Sequence, residues 1–66
     1  MNNADAHTKI AMASVYARTA LEELEIGNLL ECYNSVQIAK RNLTEAAKLL
    51  IDIVAEVPEK EFAVEL

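Results

Sequence analysis

The chain has 66 residues, 53% of them hydrophobic, and a formal net charge of −5. That length allows one small domain whose lone core is marginal, and the acidic balance disfavours nucleic-acid phosphates and anionic membrane surfaces as partners. One cysteine and one histidine exclude an internal disulfide and a Cys/His zinc cluster, so the usual staples of a small fold are missing.

Glycine and proline occur once each, while alanine, leucine, glutamate and isoleucine dominate, an all-α composition. No apolar run approaches the roughly 20 residues that cross a bilayer. The segment Met1-Asn2-Asn3-Ala4-Asp5 lacks the basic and apolar regions of a secretory signal, and a single cysteine suits a reducing compartment. The expectation is a cytoplasmic protein.

The first predicted helix runs from about residue 5 to 26, with Asn2 or Asn3 as its cap and Thr8 as a later alternative. Its expected seam is Ile10, Ala13, Ala17, Ala20 or Leu21, and Leu24. Gly27 ends it in the left-handed conformation, and Asn28 caps the next helix with Glu31 as capping-box partner. Stop and start are adjacent, which makes the two helices antiparallel neighbours.

The second helix covers about 29–57, ending before Pro58. Its stripe is Cys32, Val36, Ala39, Leu43, Ala46, Leu50, Ile53 and Val57, spaced alternately by four and three residues. Residues 1–57 thus form one helical hairpin, and 58–66 an acidic-apolar tail. With the turn centred between Gly27 and Asn28, residue i faces residue 55−i, and Ile51, Ile53, Val54 and Val57 outrun helix 1. Ile38 and Leu49 lie off the main stripe. These six residues form the expected oligomer or partner interface, and a dimeric four-helix bundle is the simplest way to cover them.

Motifs for chemistry are sparse. His7 has no second ligand at helical spacing, Asp5 alone lying nearby, and Cys32 falls within an apolar stripe without an activating histidine. Glu22, Glu23, Glu25 and Glu31 gather around the turn but lack the Glu-x-x-His pattern of di-metal bundles. Arg41, Glu45, Lys48 and Asp52 read as a solvated ladder of paired charges. Arg18 lies opposite residue 37, about one turn from Lys40 and Arg41, and these three mid-hairpin cations are the candidates for contact with an anion. In the tail, Phe62, Val64 and Leu66 alternate with acidic or small residues and form a candidate linear motif. No catalytic residue, cofactor site or metal site is expected, and the chain reads as a non-enzyme.

In length and layout the chain resembles Rop, the plasmid RNA-loop-binding dimers of helical hairpins. The resemblance covers the hairpin as architecture, with no shared motif. It implies a four-helix dimer and binding to structured RNA, for which helix 1 offers only His7, Lys9 and Arg18 against Asp5, Glu22, Glu23 and Glu25. The expected function is therefore a small protein-binding regulator, of the inhibitor, antirepressor or adaptor type that phages often encode. It would self-associate and use its helix faces on a protein partner. A Rop-like RNA binder, or an oligomeric sponge for an anionic small ligand, is the alternative.

Overall fold

Residues rich in alanine, leucine and glutamate, with no internal glycine or proline, favour helix on both sides of Gly27. The computed structural model describes residues 3–55 and contains α1 (Asn3–Glu25) and α2 (Leu29–Val54), packed against each other as an antiparallel hairpin. No helix among the described residues is long and apolar enough to cross a membrane.

The turn rests on Gly27, whose φ of 82° lies in the left-handed region. Asn28 donates its N–H to the Glu23 carbonyl at 2.8 Å, and Gly27 donates to Leu24 at 3.1 Å. These two bonds form a Schellman closure, satisfying carbonyls that the end of α1 would leave open. Nothing lies within 4 Å of where a Cβ would stand at Gly27, so a side chain there meets only the backbone penalty. Gly27→Ala is expected to lower the unfolding free energy by about 1 kcal/mol. Urea denaturation checks this, and an unchanged midpoint would show that the turn can leave the left-handed conformation at no cost.

Asn28 occupies the N-cap position of α2 as expected, but its side chain makes no capping bond. Its ψ of 78° falls short of the extended values at which a cap side chain reaches the first-turn amides. Asn28 contributes its backbone instead, its carbonyl accepting from Cys32 N–H at 3.0 Å.

Helix bounds differ from the sequence expectation at both open ends. α1 begins at Asn3 rather than near Asp5, and α2 ends at Val54, with Ala55 as its C-cap, rather than at Val57. Among the described residues, only Val54 of the expected overhang lies beyond the level of Asn3, and Val57 falls outside them. Thr8, the alternative cap, sits inside α1 and donates its hydroxyl to the Ala4 carbonyl at 3.0 Å.

The seam between the helices is made of small side chains. Ala6, Ala13 and Ala20 of α1 are buried, facing Ala39 and Ala46 together with Ser35 and Asn42 of α2. No large side chain is fully buried among the described residues. Alanines recurring every seventh position form a nearly straight line along a helix, and without bulk between them two backbones approach closely. The large residues flanking that line are then displaced to the sides. Each buried alanine methyl contributes only about 0.8 kcal/mol, against about 1.5–3 kcal/mol for a fully buried leucine. The hairpin therefore leaves much of its hydrophobic driving force unused.

The polar seam residues are satisfied. Ser35 donates to the Glu23 carboxylate at 2.8 Å, and Asn42 donates through its side-chain amide to the Ile38 carbonyl at 2.9 Å.

Candidate association face

The two sides of the hairpin differ in chemistry. One is the polar edge. Lys9 bridges Glu45 at 2.8 Å, Glu23 meets Ser35 four turns away, and Tyr16 lies half-buried between them on α1. The ion pair takes Glu45 out of the solvated ladder expected along α2 and commits it to α1. The hydrogen bond from Lys9, followed by its charge, holds the Glu45 carboxyl below the usual glutamate range, with Arg41 and Lys48 adding smaller contributions. Ile38 and Leu49, half-buried, belong to this edge.

Midway between the Glu23–Ser35 and Lys9–Glu45 pairs, residue i lies level with about residue 56−i, within one residue of the expected register. At 100° per residue, the side opposite the polar edge collects Ile10, Ala17 and Leu24 of α1 with Val36, Leu43 and Leu50 of α2. Leu21 and Val54 extend it towards either end. Its large exposed members range from Val54 at 42% to Leu21 at 56% exposure. Arg18, Glu25 and Lys40 stand further round each helix, at the rim.

This face has an internal pattern. At almost every level one helix supplies a buried alanine and the other a large side chain turned outward. Leu50 lies beside Ala6, Ile10 beside Ala46, Leu43 beside Ala13, and Val36 beside Ala20. The exceptions are the turn end, where Leu24 is level with the half-buried Cys32, and the middle, where Ala17 and Ala39 are level and both small.

The residues expected at the interface do not gather. Ile38 and Leu49 line the polar edge, Ile51 points outward from α2 at 64% exposure, Ile53 is half-buried, and Val54 alone joins the apolar face. Val57 lies outside the described residues, as do Phe62, Val64 and Leu66. The face that does form was partly legible in the sequence, because Val36, Leu43 and Leu50 belong to the α2 stripe and Ile10 and Leu24 to the α1 seam. What the heptad spacing lacked was the rotation that turns them away from the hairpin's own interior.

The three candidate anion ligands are not brought together. Lys40 and Arg41 line a shallow depression on the outer side of α2 with Gln37, Thr44, Glu45 and Lys48, and Arg18 is not part of it. A second shallow depression, on α1, is lined by His7, Thr8, Ala11, Met12, Val15 and Tyr16. Cys32 is a half-buried free thiol. No group of three or more His, Cys, Asp or Glu side chains suited to a metal occurs among the described residues. No family model, curated protein or solved structure matches the chain, so its function is read from this geometry alone.

Proposed function

We propose that the protein is a small non-enzymatic protein-binding regulator, of the inhibitor, antirepressor or adaptor type, which works in the cytoplasm as a dimeric four-helix bundle. The observation that carries this reading is the apolar face: large side chains left half-exposed on a hairpin whose own core is alanine. Its six large exposed members offer on the order of 500 Å² of apolar surface per chain, and the flanking residues bring that towards the ~800 Å² per partner of a specific interface. Stacking two hairpins through this face completes a four-helix core.

The bundle would leave outward the charged rims and the acidic turn, where Glu22, Glu25 and Glu31 stand exposed. Net charge and turn together suit a protein partner with a basic surface, recognised across a helix face. Sedimentation equilibrium and affinity capture test the two parts of the reading. The expected mass is twice the 7.3 kDa of the chain. Capture of a basic partner should weaken with salt and with Glu22, Glu25 and Glu31 changed together to glutamine. A monomer at micromolar concentration, or a partner held equally by the neutralised variant, would overturn the reading.

A further inference from the structure

We infer that the second copy lies on the apolar face with its turn at the opposite end, so that α1 packs on α1 and α2 on α2 of the other chain. This rests on the dimer proposed above and adds its orientation. Two symmetric ways exist to stack two flat hairpins face to face. With the turns at the same end, α1 lies over α2 of the second copy and every level meets its own equivalent. With the turns at opposite ends, the levels are paired in reverse order about the middle of the face.

Most of the face accepts either arrangement, because almost every level carries one large and one small side chain. The middle does not. In the same-end arrangement the level of Ala17 and Ala39 meets its own copy, which creates a layer of four alanines at the centre of the bundle. Such a layer is underpacked, and voids in a core are destabilising. In the opposite-end arrangement the level of Ala17 and Ala39 meets that of Ala13 and Leu43 instead. Each Leu43 then covers Ala39 of the second copy, and no layer lacks a large side chain. The rest follows the same rule: Ile10 falls over Ala20, Val36 over Ala46, and Leu50 over Cys32 of the other chain. The open side of the hairpin is thus self-complementary under a two-fold axis crossing the helices, as an isologous interface requires.

The native thiol makes the orientation measurable. Within one chain Cys32 and Leu50 are about 27 Å apart along α2, far beyond disulfide reach. Across the opposite-end dimer they are neighbours. Leu50→Cys, mildly oxidised, is therefore expected to run as a covalent dimer on a non-reducing gel, whereas Leu50→Cys combined with Cys32→Ala is not. No covalent dimer from Leu50→Cys in a protein that sediments as a dimer would overturn the orientation.

A second measurement avoids the face. Asn28 is exposed and makes no side-chain cap bond, so a spin label on Asn28→Cys in a Cys32→Ala background perturbs little. The two labels should lie about 40 Å apart with turns at opposite ends, and within about 20 Å with turns at the same end. A short distance overturns the orientation even if Leu50→Cys fails to dimerise. A wild-type mass of one chain instead removes the dimer itself, which separates failure of this inference from failure of the proposed function.

Discussion

Replacing Leu43 by aspartate is expected to convert the protein to a monomer and to lower its helicity at micromolar concentration. In the hairpin Leu43 is 52% exposed, so within one chain a carboxylate there remains hydrated and costs little. In the proposed bundle the same side chain would cover the small residues at the middle of the face, and symmetry would use it twice. Association buries only the half of each Leu43 that the hairpin leaves exposed, so losing two of them removes about 1.5–3 kcal/mol of association free energy, roughly ten- to a hundred-fold in the dimer dissociation constant. Desolvating two carboxylates adds to that penalty. Sedimentation equilibrium reads the mass and circular dichroism the helicity. Ile51→Asp is the matched control: Ile51 is more exposed than Leu43 but points outward from α2, so its charge should leave the mass unchanged. If both variants remained dimeric, the apolar face would not be the interface.

The second large effect is expected at the seam. Ala13 is 3% exposed, held between the two helices. Ala13→Leu adds three carbons with no space to receive them and forces the helices apart. Overpacking of this kind costs about 1–3 kcal/mol, and a rigid seam of two backbones places the cost at the upper end. For a domain of this size that is a fall of roughly 10–20 °C in Tm. Ala11→Leu makes the same chemical change on the exposed side of α1, where it should stay within about 0.5 kcal/mol of the wild type. Equal loss in both variants would mean that helix propensity, not close approach, governs the effect.

The contrast between Ala13 and Leu43 explains how far the chain could be read without its fold. Both lie in the apolar stripes that heptad spacing marks out, and both were expected to be interior. Hydropathy treats them alike. In the structure, one is sealed inside the hairpin and the other stands at its open side. The expected overhang at the end of α2 shrank for a different reason: helix ends are the least sharply encoded part of a helix, and α1 starts earlier while α2 stops sooner. Glu45 shows a third kind of difference. Its spacing from Arg41 and Lys48 suits a ladder along α2, yet Lys9 reaches it from the other helix.

By itself the sequence determined the two helices, the break between them and their antiparallel course. These are local properties: intrinsic propensity, a period close to seven, and one glycine where only positive φ closes the turn. Tertiary structure alone decided which line of each stripe faces the hairpin and which faces outward. That choice is a rotation of a few tens of degrees about each helix axis, and it depends on side-chain volume summed over both helices. Alanine is apolar enough to belong to the stripe and small enough to let the backbones meet. Only with the two helices in place does the seam close on alanine, leaving the leucines, Ile10 and Val36 at the open face.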